Sequence, residues 1–192
     1  MEEGVRDTKS CDKMQAEQRE GGGQSTAMQE KQRENSGADG FLSEILAAFP
    51  GKRQDIRTYS PLALAYIGDA VYDLVIRTMV VERANRPVNE LHRMVVKYVS
   101  ANAQARIVQA LMESLTEEEQ SIYRRGKNSK PHTTAKNASV KDYLKATGFE
   151  AVIGYLYLTD RMDRVLELVR KGLELEESVK QGESIWRTKN LP

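Results

Sequence analysis

Cysteine is all but missing from this chain: of 192 residues, only Cys11 is one. A lone thiol can close no internal disulfide and cannot build a cysteine-based metal site, so redox chemistry is not expected. Histidine is nearly as scarce, with His92 and His132 the only two and no HExxH or Cys/His spacing around either. No Ser or Cys stands in a nucleophile-elbow context, which leaves a nucleophilic triad without support. There is no internal repeat, no heptad array and no Gly-rich phosphate loop, which removes the commonest nucleotide enzymes. Alternating strand patterns bounded by turns are also hard to find.

Residues 1–40 have few apolar side chains, and their charge is 6 Lys/Arg against 9 Asp/Glu. Such a head cannot bury enough surface to offset chain entropy, and it is expected to be disordered. It has neither the apolar stretch of a signal peptide nor the Arg-rich, acid-poor character of a transit peptide. No later run of roughly 18 apolar residues is free of charge, so a cytosolic protein is expected. The remaining residues carry 23 Lys/Arg against 19 Asp/Glu, so the folded part is about +4 under an overall +1.

What is present is helix grammar. Phe41, Leu42, Ile45, Leu46 and Phe49 describe a short amphipathic helix that Pro50-Gly51 should stop. Ser60-Pro61 supplies an N-cap and a first-turn proline for a nearly continuous apolar run to about Val81. Because this run is apolar almost all round, it predicts a central helix wrapped by others, and Asp69, Asp73 and Arg77 argue against a membrane span. Further helices are expected over residues 87–98, after Ser100, and from the capping box Thr116-x-x-Glu119 to a stop near Arg125-Gly126. The next begins at Ser139-x-x-Asp142 and runs to about Leu158, and a last one carries Met162, Val165, Leu166, Val169 and Leu173. The expected architecture is all-α, with an N-terminal extension over 1–40, a folded domain over 41–179 and a polar tail over 180–192.

Two acids stand out in apolar company. Asp69 follows Gly68 in Tyr66-Ile67-Gly68-Asp69-Ala70-Val71, and Glu150 lies between Gly148 and Gly154 in a helix otherwise full of large apolar side chains. A glycine costs a helix interior about 1 kcal/mol relative to Ala, so these glycines should serve close helix approach. If the two helices cross there, Asp69 and Glu150 converge on one hard divalent cation, Mg²⁺ or Mn²⁺, because such ions take carboxylate oxygens and water. The bland alternative for Asp69 is a surface ion pair with a neighbouring base. Asp73 is expected to pair with Arg77 one turn on, with a place at the cation as its alternative.

From Gln120 to Lys141 there are six bases, Arg124, Arg125, Lys127, Lys130, Lys136 and Lys141, and no acid. Polyanion binding is one reading of this run; a solvated loop beside a helix end is the other.

The segments Leu64-Ala65-Tyr66-Ile67-Gly68-Asp69-Ala70 and Phe149-Glu150-Ala151-Val152-Ile153-Gly154-Tyr155-Leu156-Tyr157-Leu158 resemble the two acidic motifs of the ribonuclease III catalytic domain. The resemblance covers roughly Tyr59 to Leu173. With no double-stranded-RNA-binding domain behind it, and with Arg124-Arg125-Gly126-Lys127-Asn128-Ser129-Lys130 between the motifs, the chain looks like the short branch, Mini-ribonuclease III. It implies metal-binding and catalytic roles for Asp69 and Glu150. It also implies a homodimer that hydrolyses both strands of double-stranded RNA with Mg²⁺, in the maturation of 23S ribosomal RNA precursors. RNA contacts would then fall to Arg124, Arg125, Lys127, Lys130, Thr133, Thr134 and Lys136, reading A-form shape through phosphates and 2′-hydroxyls. Longer family members carry a Glu where this chain has Ala65 and an Asp where it has Thr147. Fewer protein ligands are then available, and the rival expectation is a non-catalytic dsRNA-binding or ribosome-associated protein of the same fold.

Overall fold

The computed structural model describes residues 40–83, 85–129 and 139–189, with side chains to residue 178. Every regular element among them is helical, and the chain divides into two units, Met1–Gly51 and Lys52–Pro192. In the first unit, α1 (Phe41–Ala48) ends where the Phe49 N–H returns to the Ile45 carbonyl, one residue before Pro50. The second unit holds α2 (Pro61–Arg83), α3 (Val88–Val99), α4 (Ala101–Leu111), α5 (Glu117–Lys127), α6 (Val140–Leu158) and α7 (Met162–Lys189), with single 3-10 turns at Ile56–Thr58 and Met112–Ser114.

Side-chain caps set three of the helix starts. The Ser60 hydroxyl accepts from the Ala63 N–H at 3.1 Å, and the Ser139 hydroxyl accepts from the Asp142 N–H at 3.1 Å. Thr116 and Glu119 form the reciprocal capping box that their spacing predicts. Ser100 stands at the N-cap of α4 but its side chain caps nothing. At its far end α6 closes on Asp160, whose φ of 60° lets the Asp160 N–H reach the Tyr157 carbonyl and the Arg161 N–H reach that of Leu156.

The centre of this unit is α6. Ala146 to Phe149, Ala151 to Gly154, Leu156 and Tyr157 are all buried, and α2, α4, α5 and α7 pack around the helix. This differs from the expectation that the 62–81 helix is the wrapped one. α2 buries a single face, Leu64, Ala65, Gly68, Val71, Tyr72, Ile76 and Val80. Its other face is open to solvent, with Tyr66 at 83%, Leu74 at 53% and Val81 at 54% exposure. An apolar pattern cannot by itself tell an enclosed helix from one whose second face lacks cover within a single chain.

Glycines set the distances between helices. A Cβ on Gly68 would strike the Glu150 carbonyl oxygen, and one on Gly154 would strike the Leu64 carbonyl oxygen, so α2 and α6 meet main chain to main chain. Tyr72 then packs edge-on against Phe149, ring centroids 5.4 Å apart, and its hydroxyl donates to the Tyr98 carbonyl at 3.2 Å. Gly126 does not end α5, contrary to expectation. It lies inside the last turn, where a Cβ would come within 2.9 Å of both Gly148 Cα and Ala151 Cβ. Close approach, not helix termination, is its role.

Candidate active site

The crossing of α2 and α6 brings together the two acids singled out in the sequence. Gly68 touches the backbone of Glu150, and Asp69 is the next residue on α2. Asp69 is exposed on α2, whereas Glu150 is half-buried. Burial, and after it the negative charge of Asp69, pushes the Glu150 carboxyl up to about 7, against the hydrogen bond it accepts from Gln104. Asp69 is itself raised, by partial burial and then by Asp73. Asp73 makes the expected ion pair, its Oδ2 accepting from Arg77 Nε at 2.5 Å.

Among the described residues no group of three or more His, Cys, Asp or Glu side chains is arranged to hold a metal ion. Ala65 is buried as an alanine, and the Thr147 hydroxyl donates to the Tyr143 carbonyl at 3.0 Å, so neither position adds a carboxylate. The donor set at the crossing is thus two carboxylates whose mutual repulsion is offset only in part, by the Gln104 amide at Glu150. That set suits a hard divalent cation, which takes oxygen ligands and completes its shell with water.

Gln104 is a site residue that sequence reasoning did not single out. It is 1% exposed on α4, and its Nε2 donates to the Glu150 Oε1 and to the Val99 carbonyl, each at 3.1 Å. A signal existed: Gln104 shares the buried stripe of Ala103, Ile107, Val108 and Leu111, where a polar side chain needs a reason.

The basic end of α5 lies beside this site. Gly126 rests on Gly148 and Ala151, which flank Glu150, and Arg124, Arg125 and Lys127 surround that glycine. Arg124 and Arg125 are exposed and Lys127 is half-buried. Arg125 Nη2 reaches the Tyr59 carbonyl at 3.4 Å, just ahead of α2. Lys130, Thr133, Thr134 and Lys136, like His132, lie outside the described residues.

A pH prediction follows from the raised carboxyls. A glutamate whose pKa is raised by folding binds protons more tightly in the native state than in the unfolded one. The cation-free protein should therefore lose stability as pH rises from about 4.5 to about 7. The loss should be on the order of 1–3 kcal/mol, with Asp69 adding in the same direction. Denaturation in EDTA across this range checks it: the Glu150→Gln protein should show a flatter profile than the parent.

A model of the ribonuclease III domain matches residues 62–161, a span that contains both acids and the basic end of α5. The Mini-ribonuclease 3 of Clostridium tetani is 44% identical over 132 residues, 68% of this chain and 87% of that protein. That of Thermoanaerobacter sp. is 47% identical over 140 residues, 72% and 95% of the two chains, and that of Enterococcus faecalis is 50% identical over 118 residues, 60% and 89%. A crystal structure of a Fusobacterium nucleatum protein superposes with a TM-score of 0.59 at 32% identity, covering 65% of this chain and 99% of that one. The chain belongs to the ribonuclease III family and, within it, to the Mini-ribonuclease 3 group. It is an endoribonuclease of the ribonuclease III type.

Proposed function

We propose that this endoribonuclease cleaves double-stranded RNA, using one or more Mg²⁺ or Mn²⁺ ions held by Asp69 and Glu150. The observation that carries the reading is the glycine crossing, which sets two carboxylates against each other beside a cluster of exposed bases. In hydrolysis a water oxygen bonds to phosphorus and the bond to the 3′ oxygen breaks, leaving 5′-phosphate and 3′-hydroxyl ends. A bound divalent ion would supply the Lewis acidity for this, making water nucleophilic at neutral pH and neutralising charge on the phosphate. Asp69 and Glu150 hold and orient the ion; neither has to carry a proton. Arg124, Arg125 and Lys127, with Lys130, Thr133, Thr134 and Lys136 beyond them, supply the phosphate and 2′-hydroxyl contacts.

The catalytic domain in this reading runs from residue 41 to 179. It works as a homodimer, because the stripe of Tyr66, Leu74 and Val81 on α2 is an apolar face suited to a second copy. A two-fold dimer also matches the approximate two-fold symmetry of a duplex, giving one site per strand. Precursor ribosomal RNA of the 23S type is the substrate that the family resemblance favours. A cytoplasmic location accords with it, and among the described residues no helix is long and apolar enough to cross a membrane.

The test is incubation of the purified protein with a structured precursor RNA, in Mg²⁺ and in EDTA. Both strands should be cut in Mg²⁺ only; undiminished cleavage in EDTA, or binding without cleavage in either, overturns the reading. A companion measurement addresses the bases. Replacing Arg124, Arg125 and Lys127 with glutamine should weaken RNA binding and reduce the slope of log affinity against log salt by roughly one for each phosphate left without its base. Thermal stability should be unaffected. An unchanged slope would return these residues to plain solvation.

A further inference from the structure

Gln104 carries a role that the two-acid site does not by itself require. Its amide is buried, sits at the junction of α4 and α6, and commits both its N–H groups to acceptors, the Val99 carbonyl and Glu150 Oε1. Those two acceptors fix which end of the amide is nitrogen, since an oxygen there would face oxygen on both sides. The amide oxygen has no hydrogen-bond partner among the described residues, so Gln104 is tied at its donor end alone. An apolar side chain of the same length would remove the unpartnered amide oxygen but would take the donor from both the Val99 carbonyl and Glu150 Oε1. What the amide adds is a hold on one oxygen of Glu150.

We infer that Gln104 is the positioning residue of the cation site, fixing the Glu150 carboxylate through Oε1 so that Oε2 is the oxygen offered to the ion. Oε2 accepts no hydrogen bond from any described residue, whereas Oε1 is engaged. The neutral amide is also the right chemistry for the task. A lysine or arginine there would neutralise Glu150 and compete with the cation, and an aliphatic residue would let the carboxylate turn about its last torsion. The inference rests on the reading of Asp69 and Glu150 as the cation-holding pair, and its test separates the two.

Mn²⁺ is titrated calorimetrically into the full-length protein without RNA, for the parent and the Gln104→Met, Glu150→Gln and doubly substituted proteins. Removing a residue that orients a metal ligand weakens metal binding by about 10–100-fold. Gln104→Met should show a loss of that size, while RNA affinity in EDTA stays at the parental level and excess Mn²⁺ restores cleavage. In the Glu150→Gln background the same change should add nothing, because the hold acts only through that carboxylate. Gln104→Leu, which is shorter and crowds the junction less, gives the same reading if methionine is not tolerated. Parental Mn²⁺ affinity in a folded Gln104 variant overturns the inference alone and leaves the amide as a clamp on the end of α3. Parental Mn²⁺ affinity in Glu150→Gln overturns the two-acid site, and this inference with it.

Discussion

Asp69→Asn and Glu150→Gln should each lower kcat/KM on duplex RNA by at least about 100-fold, the scale at which a single group stabilising a transition state is lost. Both substitutions keep shape and volume and remove only the negative charge that a divalent cation would meet. RNA affinity measured in EDTA should not fall, because neither acid attracts a polyanion. Stability sharpens the prediction. Burial and Asp69 together push the Glu150 carboxyl up to about 7, so at neutral pH that charge is held against its environment. Glu150→Gln should therefore melt no lower than the parent in EDTA while losing activity, the trade expected of a residue kept for chemistry rather than for the fold. Cleavage persisting at the parental rate in both variants would remove these two acids from the reaction.

Arg164→Met should be strongly destabilising. Glu119 is fully buried, and Arg164 grips both its oxygens, Nε to Oε1 and Nη2 to Oε2, each at 3.0 Å. Arg164 Nη2 also donates to the Ser114 carbonyl at 2.8 Å, and Arg161 stands 3.6 Å from Glu119 Oε1. Removing the guanidinium strands a buried carboxylate, which costs about 3–5 kcal/mol. In a protein of this size that is a fall in Tm of roughly 6–20 °C. Burial alone would raise the Glu119 pKa, but Arg164 and the Thr116 N–H outweigh it and hold the carboxyl below its ordinary value. The stabilisation is then complete above the ordinary glutamate range and disappears as pH falls through the lowered native value. Glu119→Leu combined with Arg164→Met should recover part of the loss, since a buried pair replaced by apolar groups is far less costly than a broken one. Thermal melts of the three proteins check it, and a Tm within about 2 °C of the parent for Arg164→Met would show the pair to be dispensable.

These cases mark what the sequence made legible. Helix starts at Ser60-Pro61, Thr116 and Ser139 were readable because a cap is a contract between residues three apart. Gly68 and Gly154 were readable as a crossing because a small residue amid large apolar ones has few other uses. The same grammar misled at Gly126, where a helix-stopping glycine and a helix-packing glycine look alike until the partner helix is known. Glu119 shows the limit from the other side: its capping role is local and visible, while its grip on Arg164 spans 45 residues and leaves no trace in spacing. Gln104 is hidden for that reason, being tied to Glu150 across 46 residues. The bare face of α2 was missed because its run is apolar nearly all round, while only one face is covered in the fold.

Main chain meets main chain at Gly68 and Gly154, with no side chain interposed, so the gap between the two acid-bearing turns is set by van der Waals contact of backbone atoms. Trimming the surrounding hydrophobic residues can soften the molecule without prising those jaws apart. Heat-weakened versions of this nuclease should accordingly cut at full speed until they melt, failing all at once rather than by gradual loss of aim.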